Sequence, residues 1–380
     1  MDKLKEIAFV FLKLGLIAFG GPAAHIAMFE DEVVTRRKWM SQQHFLDLVG
    51  ATNLIPGPNS TEMAIHCGYH RAGIAGLFVA GLCFMLPALL ITGALAGVYV
   101  RYGDLPEVAP FLYGIKPAVI IIIINAVYRL GRKAVHGWRL FLIGFFIAVI
   151  NLSGFNEIFS ILAGGLFGAL FLYLSGRKNM LHSMHPVALI SLLALPGIAN
   201  TIGKSQVSLG KLFLTFLKIG TVWFGGGYIL VAYFNGELVE GLNWLTRKEL
   251  LDAIAVGQFT PGPFLSSATF IGYQIAGISG AVLATLGITI PSFIFVLLVN
   301  PLIPRIRQSD FFAKFLDAVN VSALAVMLVV ALRLGAQVLI DWRAIVIAAL
   351  SILALLSVKK INPAYLVAGG VVLGYILLLF

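Results

Sequence analysis

The chain has 380 residues, of which 59% are hydrophobic and only 12% charged, with a net charge of +10 and a mean hydropathy of +0.96. Soluble domains carry roughly 25% charged residues, so this composition excludes a soluble protein and predicts an all-α polytopic membrane protein embedded in a lipid bilayer. The basic excess falls in short loops between apolar runs, the pattern of the positive-inside rule, and not in a nucleic-acid-binding surface.

Met1–Gly20 shows no small-residue cleavage site, so the first apolar segment is expected to stay in the mature protein. A first helix is predicted from about Leu4 to Phe29, weakened at Gly20-Gly21-Pro22. Arg36-Arg37-Lys38 reads as a topogenic loop. The next segment, Ser41–Tyr69, contains Pro56-Gly57-Pro58. A helix cannot run through that triplet, because proline removes an N–H and clashes with the preceding turn. At membrane depth such a break survives only inside protein or against a wet cavity. A half-helix then starts near Asn59, with Ser60 and Thr61 in its first turn, and its free N–H groups favour an anion. Plain segments follow at about 73–100, 110–130, 138–153 and 157–175.

The pattern then repeats. Phe19-Gly20-Gly21 recurs as Phe224-Gly225-Gly226, at an offset of 205 residues. Lys13 matches Lys218, Trp39 matches Trp244, Asp47 matches Asp252, and Pro56-Gly57-Pro58 matches Pro261-Gly262-Pro263 at the same offset. After a slip of one residue, Gly68-Tyr69 matches Gly272-Tyr273 and Trp138-Arg139 matches Trp342-Arg343. Residues 1–175 and 206–380 are therefore read as two repeats joined by a linker, 176–205, with the second set of segments at about 208–235, 246–273, 277–300, 314–335, 342–358 and 362–379. Internal repeats are a usual build of secondary transporters, with the site between them near the midplane.

Two topologies satisfy the distribution of Lys and Arg, and both invert the second repeat. In one, each broken segment is a re-entrant hairpin beside five plain spans, giving ten spans and two hairpins with Met1 outside. In the other, each broken segment crosses and the linker adds a span, giving thirteen crossings with Met1 in the cytoplasm.

Lys13 and Lys218 lie inside apolar runs, where an ionisable residue is costly and a functional candidate by default; they are candidate counter-charges for a dianion. Asn53, Asn59, Ser60 and Thr61, with Gln258, Thr260, Ser266 and Ser267, offer neutral donors around the two Pro-Gly-Pro breaks. Such donors suit an oxyanion that must bind and then leave. Gly20, Gly21, Gly225, Gly226 and Gly227 permit close backbone approach or tight helix packing. Asp47 and Asp252 are matched acids, read as proton-coupling groups or structural ion-pair partners. Glu62 and His66, four apart on one helical face, occur only in the first repeat and are the asymmetric candidates for proton coupling. His66, Cys67 and His70 read as a polar helix face, so no metal site is expected. No Walker A loop, Gly-x-Ser-x-Gly elbow or His-Glu-x-x-His motif is present. No cofactor or enzyme activity is expected.

Through Phe19–Pro22, Trp39 and the two Pro-Gly-Pro blocks, the sequence resembles the chromate ion transporter family in its two-domain long form. The resemblance covers nearly the whole chain. It implies export of chromate across the cytoplasmic (inner) membrane and chromate resistance, with sulfate as a chemically similar competitor, and the residues admit a homodimer. The second block reads Phe-Gly-Gly-Gly and lacks the proline of the first, so the halves need not bind the ion equally. Alternatives are uptake or exchange of sulfate or another oxyanion, a membrane-embedded enzyme, and a passive anion channel.

Overall fold

The computed structural model describes residues 2–19, 21–52, 55–103, 105, 109–176, 207–224, 226–299, 310–358 and 361–379. The described residues form helices and no strands. The first half contains α1 (Lys3–Ile17), α2 (Pro22–Glu30) running into a π-helical turn (Asp31–Arg36), α3 (Gln42–Thr52), α4 (Asn59–Tyr102), α5 (Ala109–Ala134), α6 (Trp138–Leu152) and α7 (Glu157–Gly176). In the second half come α8 (Leu209–Val222), a 3-10 turn (Gly227–Ile229), α9 (Leu230–Phe234) with a π-helical turn (Asn235–Gly241), α10 (Arg247–Phe259) and α11 (Ser266–Val299). It ends with α12 (Asp310–Val338), α13 (Trp342–Ser357) and α14 (Pro363–Leu379). The order of elements in one half matches that in the other, including the π-helical turns. Left-handed backbone also recurs in register, at Lys38 and Asn243, Gly21 and Gly226, Gly57 and Gly262, and Gly73 and Gly277.

Among the described residues five helices, including α4, α5 and α12, are long and apolar enough to cross a membrane, and α6, α13 and α14 are shorter apolar helices. Both α4 and α11 are two arms folded on one another. Ala72-Gly73 (Gly73 φ 61°) and Ala276-Gly277 (Gly277 φ 59°) leave helical geometry, and the left-handed position calls for a residue without Cβ. The arms then pack at backbone contact: a Cβ on Gly68 would lie 2.2 Å from the Gly76 oxygen, and one on Gly272 2.3 Å from the Gly280 oxygen. Small residues allow this approach where the surrounding lipid is as apolar as the side chains.

The predicted helix over residues 4–29 is divided. Gly21 (φ 81°) caps α2, Pro22 occupies its first turn, and α2 folds back along α1. Phe11 and Phe29 meet edge-on at 5.6 Å, and Arg37 returns to Glu6 at 2.9 Å. The broken segment is likewise a hairpin: the rings of His44, at the start of α3, and His70, at the end of the first α4 arm, lie 4.6 Å apart. Glu6, Arg37, Trp39, His44 and Arg71 therefore share one face of the protein. This corrects both topologies, since each separated Arg36–Lys38 from either Met1 or Arg71. The second half starts from the opposite face, because Asn235 and Glu240 reach Glu157 and Arg333, and Asp252 reaches Tyr99 near the far end of α4. α5 and α12 are antiparallel, with His136 against Asp317 and Ile120 against Gly335. The halves are thus inverted. α7 ends on the first face and α8 begins on the second; the predicted linker between them lies, Gly176 apart, outside the described residues.

The halves also interlock. α7 packs on α12 of the other half and α14 on α5, while α4 and α11 pack together at the centre.

Candidate functional site

The two Pro-Gly-Pro breaks meet the ends of α1 and α8. Pro56 and Pro58 have no N–H, so the amide of Gly57 is the one the triplet can donate. It donates to the carbonyl of Trp223, the residue after α8, at 2.7 Å. The matching amide of Gly262 donates to Ala18, the residue after α1, at 2.8 Å. Each break is completed by the opposite half. Ala18 and Trp223 have the same extended backbone (φ −79°, ψ 93° and φ −77°, ψ 83°), which turns their carbonyls away from the helices they end.

A cavity of about 40 Å³ opens at this crossing, room for about three water molecules at one per 10–15 Å³. Gly21, His25, Pro58 and Ser60 line it from the first half, and Trp223, Tyr228, Gln258, Thr260, Gly262 and Asn362 from the second. Among the described residues no Lys, Arg, Asp or Glu lines it. Its polar equipment is neutral. Gln258 lies 3.5 Å from the Tyr228 hydroxyl through its oxygen, and its buried Nε2 has no partner. His25 is buried and bonded through Nε2 to Ala18 at 3.1 Å, so Nε2 carries the proton and Nδ1 is left without a partner. The N-terminus of α2 (Gly21, Pro22) and that of α4 (Pro58, Ser60) both open onto the cavity, and such ends favour anions. The start of α11 is less available, because the amides of Ser266, Ser267 and Ala268 are already donated to Pro263, Phe264 and Leu265.

The structure brings Gly21, Pro58, Ser60, Gln258, Thr260 and Gly262 together in the lining. Pro56, Gly57, Asn59, Thr61, Pro261, Pro263, Ser266 and Ser267 sit in the same two breaks, one layer back. Gly226 is a left-handed hinge (φ 92°) whose carbonyl accepts from Trp223 Nε1 at 2.9 Å. Gly20, Asn53 and Gly225 lie outside the described residues. Lys13 and Lys218 are not in the lining. They form matched pairs with Glu32 (3.8 Å) and Glu237 (2.7 Å), and their side chains are 43% and 53% exposed on the outside of α1 and α8.

Behind the first break the polar groups are buried. Glu62 and His66 are at most 1% exposed, and neither carboxylate oxygen nor either ring nitrogen has a hydrogen-bond partner. The Glu62 carboxylate and the Ser292 hydroxyl of α11 press on Gly57: a Cβ there would lie 2.1 Å and 2.5 Å from them. Asp252 is buried and tied to the first half, accepting from Tyr99 at 2.7 Å with Lys116 at 3.9 Å. Asp47, its repeat mate, is half-buried and bonded to Gln43 at 3.4 Å.

Sequence reasoning missed His25, Tyr228, Asn362 and Ser292. The repeat comparison hid them, because their mates in the two repeat registers are Leu230, Ala23, Ile158 and Ala88, all apolar. A histidine in an apolar run just after Gly-Gly-Pro was the available signal for His25.

A family profile described as chromate transporter matches residues 5–169 and 210–375. The chain belongs to the chromate transporter family. Over 98% of its length it is 29% identical to a chromate transport protein of Cupriavidus metallidurans, covering 93% of that protein. It is 30% identical over 96% of its length to a probable chromate transport protein of Synechococcus elongatus, covering 93% of it. A chromate transport protein of Pseudomonas aeruginosa is 32% identical over 81% of this chain and 76% of its own length. No solved structure matches. The family and the apolar helices make this a multi-pass membrane transporter.

Proposed function

We propose that this chain exports chromate across the cytoplasmic membrane by secondary active, alternating-access transport coupled to protons. The observation that carries the reading is the pair of crossed breaks, each closed by a backbone bond to the opposite half and together enclosing a neutral, donor-lined cavity. Chromate is a tetrahedral dianion. Gln258 Nε2, the Ser60 hydroxyl and the ends of α2 and α4 would replace its water shell without a dense cationic cage that would hold it too long. Inverted halves support rocking about a fixed central site. The face carrying Arg36–Lys38, Arg71, Arg132 and Lys133 is assigned to the cytoplasm by the positive-inside rule. Glu62, buried against Gly57, and His66, buried one turn further along α4, are the groups assigned to proton coupling. The Cupriavidus and Pseudomonas relatives supply the identity of the anion.

The test is flux in proteoliposomes. Saturable chromate movement that an imposed pH gradient accelerates, and that sulfate competes with, is the expected result. Ser60→Ala and Gln258→Ala should each raise the half-saturating chromate concentration about ten-fold, the loss expected for a hydrogen bond to a charged group. Flux that does not saturate, or chromate movement indifferent to both substitutions, would overturn the assignment of the site.

A further inference from the structure

The first arm of α4 carries more than the two coupling candidates. Glu62, His66 and His70 stand four residues apart along it, on one helical face and with about 6 Å of rise per step. The arm runs from the cavity to the basic face. Burial relaxes in the same direction: Glu62 and His66 are buried, whereas His70 is exposed at the end of the arm. His44 of α3 closes the outer end, its ring 4.6 Å from that of His70. We infer that Glu62, His66 and the His44–His70 pair form a proton relay linking the anion cavity to the cytoplasmic face. This rests on the proton-coupled reading above and extends it by giving the proton a route separate from that of the anion.

The chemistry balances at each step. Protonated Glu62 gives its proton to one ring nitrogen of neutral His66 and becomes a carboxylate. His66 releases the proton from its other nitrogen to His70 or His44, and either gives it to water at the face. Both nitrogens of His66 and both oxygens of Glu62 are without partners, so each is available to accept and to pass on, directly or through one bridging water. The charged and polar groups around the line are few. Ser292 of α11 faces Glu62 across Gly57. Trp39 offers its carbonyl to His70 Nε2 at 3.2 Å. Arg71, beside His70, is held by Glu6 of α1 at 2.9 Å, and Glu6 also takes Arg37 at 2.9 Å. Arg37 is also held by Glu32 at 2.9 Å, so the basic groups nearest the outer end are paired with the two carboxylates of Glu6 and Glu32. The second half lacks the relay: in the register set by Gly68–Gly76 and Gly272–Gly280, the matching residues are Ser266, Phe270 and Gln274.

The experiment uses the full chain in proteoliposomes and two readouts. One is chromate exchange at equal pH on both sides, which needs no net proton movement. The other is net chromate flux driven by a pH gradient. For His44→Gln with His70→Gln, exchange should stay near the wild-type rate while driven flux falls about a hundred-fold, the low end of a proton-transfer contribution. Imidazole added on the cytoplasmic side should restore driven flux in His44→Ala with His70→Ala, which a structural role would not allow. Unchanged driven flux in the double variant overturns the relay, and so does loss of exchange together with driven flux. Wild-type protein that exchanges chromate but ignores the pH gradient overturns the relay while leaving the anion site standing. Wild-type protein that exchanges no chromate overturns the transport reading beneath it.

Discussion

The two halves share a backbone and differ in what they put on it. Around Gly57 the surrounding groups are Glu62 and Ser292; around Gly262 they are the Ala88 methyl and the Gly15 carbonyl. The second half instead anchors its broken segment, with Asp252 buried against Tyr99 and Lys116 of the first half, while Asp47 stays half-buried. Duplication supplied a symmetric frame, and the chemistry then separated: titratable groups gathered behind one break and structural bonds behind the other. The difference teaches that matched positions mark the scaffold, whereas unmatched polar positions mark the work assigned to one side.

Substitutions at paired positions test this division. The largest effect is expected for Gly57→Ala, where the new methyl would meet Glu62 and Ser292 at 2.1 Å and 2.5 Å on a backbone with φ 145°. Chromate flux should fall about a hundred-fold, a loss of the size that 1 Å misplacements produce. Gly262→Ala meets Ala88 Cβ at 2.9 Å and should lose less, with both variants checked for membrane insertion. Glu62→Gln should lower pH-gradient-driven flux alone, by about a hundred-fold, the low end for a lost proton-transfer group. Ser266→Ala, at the matching place, should leave the pH response in place; equal sensitivity at both positions would dissolve the comparison. Asp252→Ala should destabilise the protein by about 3 kcal/mol, because it leaves Lys116 partly buried without its carboxylate, and Asp47→Ala by much less, read from thermal unfolding in detergent. The smallest effect is expected at the lysines. Lys13→Ala removes the half-exposed member of a pair whose buried acid, Glu32, keeps Arg37 at 2.9 Å, so flux should stay close to wild type, whereas Lys218→Ala should cost somewhat more stability because it leaves buried Glu237 without that lysine.

Much of this was legible in the sequence. Residue patterning identified the helices, the duplication and the inverted sense, and the triplets at 56–58 and 261–263 located the breaks, because proline and glycine impose local geometry whatever surrounds them. Ser60, Gln258 and Thr260 were reachable by their closeness to those breaks. The fold-back of α2 on α1 was not. An apolar run around Gly20-Gly21-Pro22 reads the same whether the chain bends or reverses, and Phe11 meeting Phe29 is a contact between distant positions. The placement of Lys13 outside the cavity was hidden for a similar reason: its partner Glu32 sits on the segment that reverses. His25 and Asn362 enter the lining only because α2 and the start of α14 converge there from opposite halves.

The reciprocal bonds from Gly57 to Trp223 and from Gly262 to Ala18 are made wholly by main-chain atoms. No substitution short of proline removes the groups that form them, and neither half satisfies its own. A separately expressed half would therefore carry an orphaned peptide group at its most sensitive turn. It would need an upside-down twin in the same bilayer to recover what fusion into one polypeptide supplies automatically.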